Sequence, residues 1–240
     1  CGTGGDGLGT YNISTAVALI AAACGVPVAK HGNRAASSRS GAADVLEALG
    51  INLELPRSQA EEALRALNFV FLMAPRHHQA MKHVVPVRKK LKTRTIFNLL
   101  GPLANPANTK RQLIGVFDER WLAPLAETLK RLGTERAWIV HGLDGLDEIS
   151  VTAPTKIVKL EDGRITSDTL SPSDFGLPEY KIEELKGGDA YDNAKALRLL
   201  LEGKLSAYRS IAMINAAAVL VIADKAVDLK QGMEMAAQTI

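Results

Sequence analysis

The alternation of short apolar segments with helix-like segments constrains the fold of this 240-residue chain more than any other feature. Short apolar runs, typical of buried strands, lie at residues 26–30, 69–73, 111–117 and 137–141. Sequence with helical periodicity lies between them. This order predicts an α/β fold with a mainly parallel central sheet flanked by helices on both faces. In such a sheet, ligands bind at the carboxyl ends of the strands.

The helical periodicity also gives approximate bounds for the helices. The predicted helices span residues 12–24, 41–49, 58–67, 77–91, 121–132, 193–201, 208–223 and 229–237. Pro86 should kink or split the helix at 77–91, because proline removes a helical hydrogen bond. Residues 149–160 alternate like a strand, and residues 171–193 are loop-like.

The composition excludes several classes of protein. Apolar residues make up 47% and charged residues 23%, which are values of a packed globular chain and not of a disordered or fibrous one. The net charge of +3 is too balanced to indicate nucleic-acid binding by itself. Two cysteines, Cys1 and Cys24, make neither a disulfide framework nor a cysteine-based zinc site, so a reducing, cytoplasmic setting fits. The apolar runs at 16–29 and 211–223 are interrupted and shorter than the ~18 residues that a membrane span needs.

Both ends of the sequence indicate an internal piece of a longer protein. The chain begins with Cys1 and enters a glycine-rich loop at once, although a loop of this type normally follows a strand. Residues 231–240 stop inside a helix-like pattern without a glycine that would end it. We therefore expect further sequence at both ends.

The opening loop has four glycines among the six residues Gly2 to Gly7. Glycine lets main-chain N–H groups approach an anion closely, and the N-terminus of a following helix favours phosphate. The polar residues that lead into this helix are Thr10, Asn12, Ser14 and Thr15. We predict an anion site here, with a plain glycine-rich turn as the alternative.

The same loop matches the dinucleotide pattern G-x-G-x-x-G, but its context disagrees. A dinucleotide site needs an acidic residue after the next strand, where this chain has Lys30 and His31. A nucleotide-binding P-loop is excluded as well, because no Lys-Ser or Lys-Thr pair follows the glycines.

Two more clusters follow predicted strands. The segment Lys30 to Arg34, with Ser37 and Ser38, offers cations, an amide and hydroxyls to phosphate oxygens, although an exposed basic turn is the alternative. The pair Asp147-Glu148 follows a glycine turn and supplies the oxygen ligands that Mg²⁺ prefers, although adjacent carboxylates are also common on surfaces.

The segment from Lys82 to Arg94 is rich in lysine and arginine. Such a run is more often a solvated helix face than a nucleic-acid-binding face. Arg88 within it has the two-pronged geometry that holds a substrate carboxylate. We interpret the nearby residues His77, His78 and His83 as structural or at the edge of a substrate, and not as metal ligands.

Taken together, these motifs resemble the anthranilate phosphoribosyltransferase family in order and spacing along essentially all of the chain. Besides the clusters above, the resemblance rests on further strings, which are 41–47, 86–88, 94–98, 101–106 and 187–190. It implies the nucleoside phosphorylase/phosphoribosyltransferase type of fold, with residues 1–74 and 95–240 as the large α/β donor-binding domain. It also implies that residues 75–94 are an inserted segment of a small helical domain, whose N-terminal segment is absent here. The family dimerises through that helical domain, so a homodimer is expected of the complete chain.

The resemblance implies a reaction and a set of residues for it. The family transfers the phosphoribosyl group of 5-phosphoribosyl 1-pyrophosphate to anthranilate in tryptophan biosynthesis, without a covalent nucleophile. Anthranilate would be held by Gly2, Asn33 and Arg88, and Mg²⁺ by Ser14, Asp147 and Glu148. The phosphoribosyl donor would be bound by Gly2, Gly5, Asp6, Thr10, Asn12, Ile13, Ser14, Thr15, Lys30, His31, Gly32, Asn33, Arg34, Ser37, Ser38 and Ala42.

One residue departs from the family pattern, and two other functions stay open. The family usually has serine where this chain has Ala42, whose side chain makes no hydrogen bond. A pyrimidine nucleoside phosphorylase and a non-catalytic nucleic-acid-binding relative share the architecture, and fold alone does not separate the three. The Asn33 and Arg88 pair and the Asp147-Glu148 pair favour the transferase. The expected partners are therefore small-molecule substrates, without nucleic acid or membrane.

Overall fold

The computed structural model describes residues 1–4, 6–35, 39–84, 86–87, 90 and 95–240. The strands are β1 (Val28–Gly32), β2 (Phe69–Met73), β3 (Arg111–Gly115), β4 (Arg136–Gly142), β5 (Thr155–Glu161) and β6 (Arg164–Leu170). The α-helices are α1 (Ile13–Ala23), α2 (Ala42–Ala48), α3 (Arg57–Leu67), α4 (Ala74–His77), α5 (Phe97–Leu100), α6 (Leu122–Arg131), α7 (Ala190–Leu201), α8 (Ala207–Ile222) and α9 (Leu229–Thr239). Short 3₁₀-helices cover Gln79–His83, Pro102–Ala104, Glu119–Trp121, Pro172–Phe175 and Ile182–Leu185.

The strands form two sheets, and the predicted α/β class is confirmed. β1 and β2 pair in parallel, with Val28 opposite Phe69 and Gly32 opposite Met73. β3 and β4 pair in parallel in a second sheet, in the order β3-β4-β5-β6, to which β5 and β6 add antiparallel. The residues of the predicted site follow strands of these two parallel pairs, β1 with β2 and β3 with β4.

Helices cover both faces of the second sheet, and the alternation of side chains along β4 shows why. Trp138 and Val140 point into a core shared with α1, α7 and α8. Ala137 and Ile139 point to the other face and pack against α6. Because alternate residues of a strand face opposite sides, a strand buried on both faces must be apolar throughout. None of the helices in the described part of the chain is long and apolar enough to cross a membrane.

Two element predictions differ most from the structure, and one strand was not predicted at all. The segment predicted as a helix at 77–91 is divided, since α4 ends at His77 and a 3₁₀-helix occupies Gln79–His83. The strand predicted at 149–160 begins only at Thr155, because residues 149–154 are held by side-chain hydrogen bonds in an irregular loop. Strand β6 was not predicted, and it pairs with β5 across a tight turn at Asp162 and Gly163, both with positive φ.

Gly232 lets α9 approach α8 closely, which gives a first testable prediction. A Cβ at Gly232 would lie 2.8–2.9 Å from the main chain and side chain of Ala217. Helix propensity alone would make Gly232→Ala stabilising by about 1 kcal/mol. The overlap outweighs this, so we expect a net loss of about 1–2 kcal/mol of unfolding free energy. Chemical denaturation measures it, with exposed Glu234→Ala as the control; a more stable Gly232→Ala variant would show that the helices separate without cost.

Candidate active site

The glycine-rich loop leaves the sheet beside the end of β3. The N–H of Gly115 donates to the carbonyl of Cys1, and the N–H of Thr3 donates to the carbonyl of Gly115, both at 2.9 Å. Residues 1–3 therefore extend the sheet in parallel next to β3. Gly4, Gly7 and Gly9 have φ of +66°, +78° and +65°, a conformation that favours glycine. Of this loop, Gly5 lies outside the described residues.

The loop is tied directly to the acidic pair. The N–H of Gly4 donates to Oδ2 of Asp147 at 2.7 Å. A Cβ at Gly2 would lie 2.3 Å from the same oxygen, so only glycine fits there without displacing the carboxylate. Gly4 and Asp147 are more than 140 residues apart in sequence. They meet because residues 1–3 pair with β3, which runs beside β4, the strand that precedes Asp147.

Helix α1 presents its N-terminus next to this loop. Its first turn contains no acidic residue and carries Ser14 and Thr15, whose backbone N–H groups begin the helix. Lys30, at the centre of β1, donates from Nζ to the Ser14 hydroxyl at 3.0 Å. The Thr15 hydroxyl is buried and has no hydrogen-bond partner among the described residues. A helix N-terminus flanked by a lysine and a hydroxyl has the chemistry of a phosphate site.

Three ionisable side chains are buried at this place. Lys30, Asp147 and Glu148 are 7%, 8% and 6% exposed. Burial lowers the pKa of Lys30 to about 8, against the opposing effect of the Glu148 carboxylate. Burial also raises the pKa of Asp147, and the neighbouring charges of Glu148 and Asp6 raise it further. Burial likewise raises the pKa of Glu148.

The acidic pair therefore fits a divalent cation that brings its own remaining ligands. Burial makes the ionised forms of both carboxyls costly, and a divalent cation bound by them would offset that cost and favour the ionised forms. Among the described residues, no cluster of three or more His, Cys, Asp or Glu side chains has the arrangement of a metal cage. Mg²⁺ typically keeps several waters and is held by one or two carboxylates together with substrate phosphates.

The predicted ligands Asn33 and Arg34 differ in how far their side chains are already bound within the protein. The Asn33 side chain is bound to the adjacent N–H of Arg34 at 2.8 Å and is otherwise at an exposed position. The Arg34 guanidinium forms ion pairs with Glu47 and Asp44 of α2, so much of its charge is already balanced. Its role as a donor ligand stays a prediction. Ser37, Ser38 and Arg88 lie outside the described residues.

Other predicted donor residues have structural partners. Ile13 is buried in the core, so its side chain does not face a ligand. The Asn12 amide donates to the carbonyl of Ser40 and accepts a hydrogen bond from Asn193. A Cβ at Gly32 would lie 2.9 Å from the Phe71 ring, which explains a glycine there by packing. Of the remaining donor candidates, Asp6 acts on Asp147 electrostatically, Thr10 pairs with Lys186, and Ala42 opens α2; their roles in donor binding stay predictions.

Two histidines meet beside Lys30, and only one of them was predicted as a donor ligand. The rings of His31 and His78 are edge to face, with centroids 5.0 Å apart. The Nε2 atom of each is buried without a partner among the described residues. Burial lowers the pKa of His31, and the proximity of His78 lowers it further, so both factors favour a neutral ring. A main-chain hydrogen bond with Gly101 also holds the His31 ring in place.

Sequence reasoning missed the residues of the C-terminal half that support the site. Asn193 joins the N–H of Gly188 to the Asn12 side chain, and the Tyr208 hydroxyl donates to the Asn12 carbonyl. The Tyr208 ring stacks on Tyr11 at 4.5 Å. The pair Gly187-Gly188 before α7 is a sequence signal that could have indicated a close contact here. In the structure, a Cβ at Gly187 would lie 2.8 Å from the Asn193 side chain.

Comparison with known proteins identifies relatives along the whole chain. The family model described as "Glycosyl transferase family, a/b domain" matches residues 1–240. The anthranilate phosphoribosyltransferase of Azospirillum brasilense is 59% identical over 240 residues, which are 100% of this chain and 67% of that protein. The enzyme of that name from Rhodospirillum rubrum is 59% identical over 239 residues, which are 100% of this chain and 69% of that protein.

Solved structures agree with these sequence relatives. The crystal structure of anthranilate phosphoribosyltransferase from Thermus thermophilus matches with a TM-score of 0.93 and 47% identity, over 99% of this chain and 71% of that one. The Saccharomyces cerevisiae enzyme, solved in complex with PRPP and Mg, matches with a TM-score of 0.89 and 30% identity, over 100% of this chain and 68% of that one. Both the sequence and the three-dimensional arrangement are therefore shared with these proteins.

Proposed function

The chain belongs to the anthranilate phosphoribosyltransferase family, and from this we propose that it transfers the phosphoribosyl group of 5-phosphoribosyl 1-pyrophosphate to the amino group of anthranilate. The reaction releases pyrophosphate and belongs to tryptophan biosynthesis. The observation that carries the proposal is the convergence of three elements at one edge of the fold. These are the glycine-rich loop, the N-terminus of α1 with Lys30, and the buried pair Asp147-Glu148.

Each element supplies one part of the binding of the donor. The glycine-rich loop and the hydroxyls of Ser14 and Thr15 would meet its phosphate oxygens, whereas the N–H groups of Ile13, Thr15 and Ala16 already donate to the main-chain carbonyls of Tyr11 and Asn12. Lys30 adds a positive charge in a place of low solvent access, where its interaction with phosphate is weakly screened. Together these groups would hold the phosphates of the donor, so that its pyrophosphate leaving group lies against dipoles and a charge that are already in position.

Asp147, Glu148 and the Ser14 hydroxyl are the residues that would hold Mg²⁺, directly or through water. When bound, Mg²⁺ would neutralise the negative charge that develops on the departing pyrophosphate. The chain's own contribution is to keep both carboxylates buried and oriented, Asp147 through its hydrogen bond from Gly4.

Anthranilate would lie between Gly2 and Asn33, with Arg88 for its carboxylate. A position near Gly2 brings the amino group close to the reacting carbon of a donor held by the loop. The aromatic amine is a weak nucleophile, so rate enhancement comes from alignment and electrostatics, which supply about 7–11 kcal/mol when reactants are well oriented. In this mechanism no side chain forms a covalent intermediate with the donor.

We also propose the organisation of the complete protein. Residues 1–74 and 95–240 make the large donor-binding domain, and residues 75–94 belong to a small helical domain. The complete chain forms a homodimer through that small domain and works in the cytoplasm, where its two free cysteines stay reduced. Sedimentation of this chain and of a chain completed at its N-terminus compares their oligomeric states; a monomeric complete chain would contradict the homodimer.

The proposed function is tested by the loss of anthranilate fluorescence in the presence of phosphoribosyl pyrophosphate and Mg²⁺. The assay uses this chain and an N-terminally completed one. A signal loss that requires all three components is expected. Cleavage of a pyrimidine nucleoside by inorganic phosphate, without loss of anthranilate, would overturn the proposal in favour of a phosphorylase.

Lys30→Met tests the donor site. The substitution keeps the length of the side chain but removes the charge and the hydrogen bond to Ser14. A hydrogen bond to a charged group contributes about 1.5–3 kcal/mol, so the KM for phosphoribosyl pyrophosphate should rise about 10- to 100-fold. Steady-state kinetics measures this, with the exposed Lys204→Met as a control. An unchanged donor KM would remove Lys30 from the site.

A further inference from the structure

The apolar part of helix α8, from Ile211 to Ile222, contains one polar residue, Asn215, that no step of the proposed reaction uses. Its side chain is fully buried within the core of the fold. The amide Nδ2 donates to the carbonyls of Ile149 and Ile211, both at 2.8 Å, and Oδ1 accepts from the N–H of Ile149 at 2.9 Å. All of these hydrogen bonds are themselves buried.

Asn215 binds the main chain of Ile149 in the way that a neighbouring β-strand would, through both its N–H and its carbonyl. Both polar main-chain groups of Ile149 are bound by a single side chain. A buried N–H or carbonyl group without a partner is costly, so the Ile149 main chain has a strong preference for this position. Ile149 directly follows Glu148.

The rest of the acidic loop is anchored at other points. The Asp144 carboxylate accepts hydrogen bonds from the hydroxyls of Ser150, at 2.5 Å, and of Thr152. The N–H of Gly4 donates to the Asp147 carboxylate. The acidic pair thus lies between the glycine-rich loop and the anchor on α8, and Asn215 sets its distance from the helix.

We propose that Asn215 is a positioning residue for the metal-binding pair Asp147-Glu148. It holds the main chain at Ile149 so that both carboxylates stay directed towards the glycine-rich loop, and in this way it sets the affinity for Mg²⁺. The inference deepens the proposed function and rests on its assignment of the pair as metal ligands.

The test compares Asn215→Leu with Leu220→Ala. Leucine has the same branched skeleton of heavy atoms as asparagine, with bulkier methyl ends, but makes none of the three hydrogen bonds. Leu220 is also fully buried on α8, in a separate apolar cluster with Ala21 and Val26, so Leu220→Ala weakens the same helix without touching Ile149. Asn215→Ala is the second variant, because it removes the same hydrogen bonds without adding bulk or charge.

Two readouts separate positioning from stability. The first is the Mg²⁺ concentration that gives half-maximal transfer, together with the KM for anthranilate. The second needs no turnover and is the rise in melting temperature of each variant as Mg²⁺ is titrated in the presence of pyrophosphate.

For Asn215→Leu we expect the half-maximal Mg²⁺ concentration to rise about 10- to 100-fold, as is usual when a group that orients a metal ligand is removed. Its KM for anthranilate should stay within about twofold, and Leu220→Ala should keep the Mg²⁺ dependence of the unsubstituted chain. If Asn215→Leu does not fold, Asn215→Ala should still show the Mg²⁺ effect in both readouts.

Equal Mg²⁺ dependence in the Asn215 variants and in Leu220→Ala would overturn the inference and leave Asn215 with a purely structural role. Absence of anthranilate transfer by the unsubstituted chain would be a failure of the proposed function instead. In that case the melting titration with Mg²⁺ and pyrophosphate still decides whether Asn215 positions the pair.

Discussion

Replacing Asp147 and Glu148 together by their amides should lower the rate of transfer about 10²- to 10³-fold, the usual loss when a group that stabilises developing charge is removed. The amides keep the shape of both side chains and the acceptor for the Gly4 N–H, but they are poor ligands for Mg²⁺. Kinetics at several Mg²⁺ concentrations measures the effect, and an unchanged Mg²⁺ requirement would show that the pair does not bind the metal.

The same double substitution should make the metal-free protein more stable. Burial raises the pKa of Asp147 to about 8, with Glu148 and Asp6 contributing, so ionisation of this carboxyl opposes folding. An acid whose pKa is raised in the folded state contributes stability below its unfolded pKa, near 4, and loses it as the pH rises through the folded value. The stabilisation by the amides should therefore vanish below about pH 4, grow as the pH rises, and reach its full value at and above about pH 8.

Thermal unfolding in a chelator measures this difference. We expect a gain of about 1–3 kcal/mol at pH 8. This is less than the full shift at about 1.4 kcal/mol per pKa unit, because the two amides are buried polar groups as well. The exposed pair Glu127 and Glu234, changed to glutamine, is the matched control and should leave the melting temperature unchanged. A less stable Asp147→Asn/Glu148→Gln variant would mean that the two charges are compensated without metal.

Much of the fold and the place of the site follow from local sequence patterns. The strands of the parallel pairs are short apolar runs, and helical periodicity gives α1, α2, α3, α6, α8 and α9 nearly at their observed bounds. Because the site lies where these strands end, the glycine-rich loop, Lys30 and Asp147-Glu148 were predicted together. A local signal was also overlooked: Asp162-Gly163 is a typical two-residue hairpin turn, and it would have placed β6.

The rest depends on contacts between distant residues, which no local pattern contains. The Arg34 guanidinium is indistinguishable in sequence from a free phosphate ligand until α2 brings Glu47 against it. Asn12 is predicted as a ligand because it precedes a helix, whereas its amide is bound by Asn193 from α7. Asn215 interrupts an apolar run for a reason that only the position of Ile149 reveals.

Gly115→Ala should have the other large effect, because β3 and the acidic loop touch at this residue through main-chain atoms. A Cβ there would lie 1.5 Å from the carbonyl oxygen of Asp147 and 2.2 Å from its carbonyl carbon. No side-chain rotation relieves an overlap with main chain, so either the end of β3 or the acidic loop must move. We expect a loss of at least about 3 kcal/mol of unfolding free energy, at the upper end for overpacking, and a loss of transfer in the fraction that stays folded.

Gly2→Ala is the informative partner of this variant. Its Cβ would lie 2.3 Å from Oδ2 of Asp147, which belongs to a side chain that can rotate away. The rotation breaks the hydrogen bond from Gly4, so Gly2→Ala should lower the transfer rate with a much smaller loss of stability. Gly101→Ala is the control, because no atom lies within 4 Å of its Cβ position. Calorimetry and kinetics on the three variants separate the effects; equal destabilisation by Gly2→Ala and Gly115→Ala would mean that the Asp147 side chain is as firmly fixed as its main chain.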